Sequence, residues 1–252
     1  MTDAADRSEP SPPSVASFRE ARPLFLPRGL VMLASAWVFA SWTLVFGFRP
    51  PVQPQSASYG PGIQMLLLLV GLGIGVGWPL LRLSGPASRA PFAQSAIDGV
   101  SVLVLLQVVI WPLRLVTTWT LPRTIAVVAA AAAAIFLVAA LLAIATRAVR
   151  HPGRARWMAI FVALALLPGA AELACTWVTD EAGVARCASW IDAWLLPASA
   201  PGLLSHFSEP STVDPSPSDR ATLVTAIVIS STIWLASAAW AAVAARGRAP
   251  QP

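Results

Sequence analysis

The strongest constraint on this chain is a pair of long apolar runs joined by a short basic elbow. The run 124–146 carries no charged residue, and the run 157–178 carries only Glu172. Each is long enough for a helix to cross a bilayer, which takes ~20 residues. The elbow between them, residues 147–156, contains four arginines, and short arginine-rich loops stay on the cytoplasmic side of a membrane. We therefore predict a cytoplasmic elbow, which fixes the side of every other segment.

Four further apolar runs resemble these two. The sequence predicts six membrane spans, at residues 29–48, 62–83, 95–115, 124–146, 157–178 and 221–244. Hydrophobic residues make up 56% of the chain and charged residues 12%, which is about half the charged share of a soluble protein. We expect an all-α, polytopic membrane helix bundle whose main partner is the lipid bilayer, in the plasma or inner membrane.

The distribution of arginine predicts the orientation of this bundle. With the elbow inside, the predicted cytoplasmic segments hold 12 of the 17 arginines and the outer segments hold five. This asymmetry predicts that both termini are cytoplasmic. The net charge of +5 is therefore explained by arginines that keep the loops on the cytoplasmic side of the membrane. We expect no nucleic acid as a partner.

Two segments lie outside the predicted spans. Residues 1–28 are rich in serine, proline and mixed charge, a composition that predicts a disordered or interfacial cytoplasmic tail. Residues 179–220 are predicted to form an outer loop. Within that loop, the apolar stretch 190–204 is too short to span the membrane and is interrupted by Pro197 and Pro201. We expect a re-entrant or interfacial hairpin there.

Span 2 carries a ladder of alternating glycines. Gly71 with Gly75, and Gly73 with Gly77, form two small-xxx-small pairs, which predict the close approach of another helix. A hinge or a broken helix used in transport is the alternative. The alanine run 129–134 likewise favours close contacts and predicts that span 4 lies inside the bundle.

The charged residues of the spans are expected near their ends. Glu172, near the outer end of span 5, is predicted to form an ion pair with Arg114 or Arg123, with a substrate site as the alternative. Asp98 lies near the start of span 3, where the dipole of the helix N-terminus would stabilise its charge.

The two cysteines, Cys175 and Cys187, are both predicted on the outer side, where compartments are oxidising. They are candidates for a disulfide, with two unlinked thiols as the alternative. His206 and the acidic residues that follow it are expected to belong to a flexible acidic loop, with a metal site as the less favoured interpretation.

Several chemistries are excluded by the residue types that the chain lacks. All 17 basic residues are arginine, which excludes a P-loop lysine, a Schiff-base lysine and an S-x-x-K nucleophile. Two cysteines are too few for a zinc or iron–sulfur site. His151 and His206 are predicted on opposite sides of the membrane, so they cannot together hold a haem. We expect no catalytic residue, no cofactor and no metal, and therefore no enzyme.

The layout combines a cytoplasmic N-terminal segment, six spans, a basic elbow between spans 4 and 5, and a broken apolar hairpin before span 6. In these respects it resembles the permease subunits of ABC-2-type transporters. The resemblance implies a catalytically inert transport permease that forms homo- or hetero-oligomers. It also implies a separate ATPase subunit that docks on the first inner loop and on the elbow.

A second hypothesis is an accessory or scaffold subunit of a larger membrane complex. In that case the glycine ladder and the alanine run would be contact faces for other subunits. The lack of polar groups deep in the spans favours this second hypothesis, whereas the hairpin favours the permease.

Overall fold

A computed structural model describes residues 27–47, 56–85, 90–148, 153–178, 181–208 and 214–246. Within these ranges, all regular secondary structure is helical. Of the predicted tail 1–28, only residues 27 and 28 fall in the described part of the chain, and the centre of the elbow also lies outside it.

Six helices are long and apolar enough to cross a membrane, which confirms the all-α polytopic bundle. They run Arg28–Gly47, Tyr59–Ser84, Pro91–Val116, Leu121–Thr146, Gly153–Cys175 and Pro217–Trp240. We call them spans 1 to 6 and name their ends inner and outer according to the predicted orientation.

Two of the spans contain a π-helical turn. Span 1 is an α-helix over Arg28–Trp42 and a π-turn over Thr43–Gly47. Span 2 is α-helical over Ser56–Leu72 and Trp78–Ser84, with a π-turn at Gly73–Gly77 between the two parts. The glycine ladder therefore continues the helix instead of breaking it. The four remaining helices run Pro91–Val116, Leu121–Ala148, Gly153–Val178 and Pro217–Arg246.

Span 4 forms the centre of the bundle. Within its most apolar stretch 67% of the residues are buried, against 50% for span 2 and 28% or less for the other four spans. Its alanines allow neighbouring helices to approach closely, and spans 3 and 6 pack along it. The predicted position of span 4 inside the bundle is confirmed.

The predicted hairpin is present and is longer than its sequence pattern indicated. Its first helix, Glu181–Trp190, continues through a π-turn at Ile191–Leu195 and a 3₁₀ turn at Leu196–Ala198. The chain then reverses into the second hairpin helix, Ala200–Phe207. Pro197 and Pro201 occupy the first positions of their helices, where the missing N–H has no helical partner.

Most of the predicted outer loop is therefore folded into the bundle. The second hairpin helix is buried against spans 2, 4 and 5 through Ala200, Pro201, Leu203, Leu204 and Phe207. The interpretation of His206 and the acidic residues after it as a flexible loop was wrong for His206 and Asp219, which lie in the helices Ala200–Phe207 and Pro217–Arg246, whereas Glu209 lies outside the described residues. Burial of the hairpin's apolar side chains among the spans offsets the cost of ordering it.

Candidate functional site

The tip of the hairpin lies against the glycine ladder at the middle of span 2. A Cβ atom added to Gly71 would lie 2.8 Å from Pro201 N and 3.0 Å from Ala200 O. These are backbone atoms of the second hairpin helix, so only glycine allows this approach. At Gly75 an added Cβ would make ordinary contacts, 3.6 to 3.7 Å, with Ala200, Pro201 and Ala165. Gly71 and Gly75 thus pack against a helix as predicted, and that helix belongs to the hairpin.

The other two glycines of the ladder have different surroundings. A Cβ on Gly73 would lie 2.7 Å from Nε1 of Trp37 in span 1, whose indole N–H donates a hydrogen bond to Leu69 O at 2.9 Å. A Cβ on Gly77 would meet nothing within 4 Å. The pair Gly73 and Gly77 therefore does not act as one packing surface, because a side chain limits space at Gly73 and space remains at Gly77.

Ser199 holds the reversal of the hairpin in place. Its Oγ accepts a hydrogen bond from Gly202 N at 3.2 Å and donates one to Ala165 O, in the middle of span 5, at 3.4 Å. The hydroxyl therefore caps the second hairpin helix and ties it to a span at the same time. Because Ala165 and Gly71 both lie near the middle of their spans, the hairpin reaches the centre of the bundle.

The outer end of the hairpin is held by a polar group that we call the outer cluster: Arg123, His206, Ser216 and Asp219. Arg123 Nε donates to Phe207 O at 3.0 Å, at the C-terminus of the second hairpin helix. The same guanidinium lies 3.6 Å from Asp219 of span 6, and His206 Nε2 donates to that carboxylate at 3.0 Å. A cation at a helix C-terminus is electrostatically favourable.

Asp219 also begins span 6. The backbone N–H of Ser216 donates to the carboxylate of Asp219 at 2.9 Å, and the backbone N–H of Asp219 donates to Ser216 Oγ at 3.1 Å. This reciprocal pair is a capping box, and it explains why the helix begins at Pro217, ahead of the predicted residue 221. The outer cluster therefore joins span 4, the hairpin and span 6.

The predicted partners of Glu172 are not brought to it. Arg123 pairs with Asp219, whereas Glu172 and Arg114 both have exposed side chains. Among the described residues, the recorded ion pairs include neither Glu172 nor Arg114. The physical reason is that span 6 packs along span 4 and places Asp219 beside Arg123, where the hairpin adds His206.

His206 and Asp219 do come together, as the less favoured metal interpretation required. Their neighbour, however, is the cation of Arg123, and a positive charge at this distance opposes the binding of a metal cation. Within the described ranges, no group of three histidine, cysteine or acidic side chains converges.

The two cysteines are neighbours at the outer end of span 5. The side chain of Cys175, the last residue of span 5, lies near that of Cys187 in the first hairpin helix, and both are free thiols. The structure brings the pair together, and the disulfide stays a prediction.

A second polar group, the inner cluster, lies near the inner ends of spans 2 and 3. Asp98 is completely buried, and both of its carboxylate oxygens accept hydrogen bonds from the guanidinium of Arg82. Gln94 Nε2 donates a further bond to Asp98 at 3.0 Å. The charge of Asp98 is therefore balanced by Arg82; the predicted stabilisation by the helix dipole was wrong, because Asp98 lies beyond the first turn of the helix Pro91–Val116.

Between these two clusters, spans 1, 2, 3 and 5 enclose a groove of about 540 Å³. Every residue that lines it is apolar or glycine, including Leu33, Trp37, Gly77, Trp78 and Val102. Comparison with protein families, with curated proteins and with solved structures finds no match to this chain.

Proposed function

We propose that this integral membrane protein is the permease subunit of an ABC-type transporter, a subunit with no catalytic chemistry of its own. The observation that carries the proposal is the hairpin between spans 5 and 6, which enters the bundle from its predicted outer side. It inserts as far as Gly71 and returns to Arg123. An ordered element of this kind matches the layout of ABC-2-type permeases in its place in the chain.

The way in which the hairpin is held supports a role in closing the outer side. Its tip is seated by backbone contacts at Gly71 and by the hydroxyl of Ser199. Its outer end is held by Arg123 and Asp219 through charged hydrogen bonds. Irregular backbone at membrane depth is tolerated only where protein surrounds it, and this hairpin meets that requirement.

The ATPase subunit would dock on the inner surface, on the loop between spans 2 and 3 and on the elbow. The chain has no lysine with which to form a P-loop of its own, so the nucleotide must be bound by another subunit. The test is affinity purification in mild detergent followed by mass spectrometry. We expect a nucleotide-binding subunit to copurify, together with ATPase activity.

A matched pair of variants makes this test specific to one side of the membrane. Arg156 and Arg186 are both exposed, and the predicted orientation places Arg156 inside and Arg186 outside. Arg156→Gln should reduce copurification of the nucleotide-binding subunit, whereas Arg186→Gln should not. Purification without any nucleotide-binding subunit, at native expression level, would overturn the permease proposal.

A scaffold or accessory subunit is the second candidate. It is supported by the position of the charged groups, since Arg82 and Asp98 lie toward one end of the bundle and Arg123 and Asp219 lie at the other. Charged groups that carry substrates or ions usually lie within the membrane. Copurification with a stable set of membrane proteins that includes no ATPase would favour this candidate.

A further inference from the structure

We propose that the groove between spans 1, 2, 3 and 5 is a binding site for an acyl chain of a membrane phospholipid, with the headgroup toward the inner surface. This inference does not depend on the transporter proposal. The groove volume of about 540 Å³ lies within the usual range of small-molecule sites, about 300–1,000 Å³.

The lining decides the chemical class of the occupant. No charged or hydroxyl-bearing side chain contributes to it. Water requires about two to four polar partners to enter a cavity, and Nε1 of Trp78, on the groove wall, is buried away from the open space. The N–H of Trp37 is already donated to Leu69 O. An empty space would forfeit dispersion contacts along all of its walls, so an apolar chain is the occupant that the lining favours.

The groove opens sideways toward the lipid. Leu33 of span 1 and Leu80 of span 2 both line it and are about half exposed, at 49% and 55%. In a membrane, such exposed apolar side chains face acyl chains. A lipid can therefore enter from the bilayer without crossing an aqueous phase.

Polarity changes along the groove in the order that an amphiphile requires. Trp78 and Val102 line it, and one helical turn farther toward the inner surface lie Arg82 and Asp98. The apolar lining thus ends at the inner cluster. The Arg82 side chain remains 18% exposed while Asp98 is fully buried, so the accessible charge at that end is positive, which suits the phosphate of a headgroup and places it toward the inner surface.

Trp78 presents only apolar ring atoms to the groove. It is 3% exposed, and its Nε1 is a buried donor without a hydrogen-bond partner among the described residues. Because this atom is not accessible from the groove, it binds neither water nor a ligand there, and the wall that Trp78 contributes is apolar.

The test uses two glycines that offer the same free space in different places. A Cβ added at Gly77 or at Gly169 meets nothing within 4 Å, but only Gly77 lines the groove. The unchanged protein, Gly77→Phe and Gly169→Phe are placed in nanodiscs with a phosphatidylethanolamine whose acyl chain carries a diazirine. After illumination, adducts are mapped by peptide mass spectrometry.

In the unchanged protein and in Gly169→Phe, we expect adducts concentrated on the lining parts of spans 1 and 2. Gly77→Phe should lower their yield by about fivefold or more, because a phenyl ring takes the volume that the chain requires. Equal yields in the two variants would overturn the proposal.

A competition experiment on the unchanged protein keeps the test valid if Gly77→Phe fails to fold. Excess unlabelled phosphatidylethanolamine should suppress the groove adducts in a saturable way. Adducts spread evenly over all lipid-facing surfaces, or groove adducts diluted only in proportion to the added lipid, would show ordinary boundary lipid and would overturn the proposal.

Discussion

The outer and inner halves of the bundle are built on the same spans and are filled in different ways. In the outer half, the hairpin occupies the space among spans 2, 4, 5 and 6, and Arg123 and Asp219 hold it. In the inner half a groove remains open, and Arg82 with Asp98 ties spans 2 and 3 together. The difference shows that an inserted element, and not the spans alone, determines where this bundle is densely packed and where a groove is left.

The largest effect is expected at the inner ion pair. Asp98→Ala leaves the mostly buried guanidinium of Arg82 without its carboxylate, and removing one partner of a buried pair costs about 3–5 kcal/mol of unfolding free energy. Thermal unfolding in detergent measures this loss. The double variant Arg82→Met with Asp98→Leu should recover most of it, since no charge remains buried. A double variant as unstable as Asp98→Ala would show that the pair itself supplies the stability.

Gly71→Ala tests how tightly the hairpin fills the outer half. The new methyl group would meet the backbone of Pro201, and we expect a loss of about 3 kcal/mol, at the upper end of overpacking effects. Gly75→Ala is the matched control, because its methyl group finds ordinary contacts and should leave the melting temperature nearly unchanged. Equal melting temperatures for the two variants would contradict the close contact at Gly71.

Oxidation of Cys175 and Cys187 is expected to strengthen the outer half further. The bridge would close residues 176–186 and tie the hairpin to span 5, with a stabilisation of about 3 kcal/mol from loop entropy. Alkylation of freshly isolated membranes without reduction, followed by intact-mass measurement, counts the thiols. Quantitative labelling of both cysteines would rule out the bridge.

Arg123→Met should loosen the outer end of the hairpin. It removes the hydrogen bond to Phe207 O and the ion pair with Asp219, and bonds to charged groups contribute about 1.5–3 kcal/mol. Hydrogen exchange of residues 200–207 should rise along with the loss of stability. Arg114→Met, at an exposed arginine, serves as the control, and an equal response of both variants would argue against a specific role of Arg123.

The smallest effect is expected in the groove. Gly77→Ala adds a methyl group where no atom lies within 4 Å and replaces a residue of poor helix propensity, so stability should rise by up to about 1 kcal/mol. Thermal unfolding in detergent after removal of lipid measures this gain, and a destabilised Gly77→Ala under those conditions would show that protein atoms fill the space at this position.

Local patterns in the sequence were sufficient to predict the six membrane-spanning helices and the hairpin. Apolar length predicted the six spans, and the bilayer enforces that rule on every segment that crosses it. Pro197 and Pro201 showed that the stretch after span 5 was too broken to cross. Its start at Glu181 was missed because residues 181–189 are polar enough to resemble a loop, although they form a helix.

The partners of the charged groups could not be predicted in the same way. Arg123 and Asp219 are far apart in sequence and meet because span 6 packs along span 4. The capping box of Ser216 and Asp219 was a local signal for the start of a helix. It does not identify Arg123 as the partner of Asp219. The groove depends on how four helices diverge, which no local pattern encodes.

The π-turn at Gly73–Gly77 amounts to a single-residue insertion in span 2. The backbone N–H of Trp78 donates to Gly73 O, one residue farther back than in an α-helix. The wider turn absorbs this residue, so if Gly73–Gly77 closed into a regular α-helix with no residue deleted, everything after it would turn by about 100°. Arg82 would then rotate away from Asp98 while Gly71 kept its place under Pro201. The π-turn therefore sets the rotation of span 2 between two contacts. Gly71 faces Pro201 on one side of the turn, and Arg82 faces Asp98 on the other.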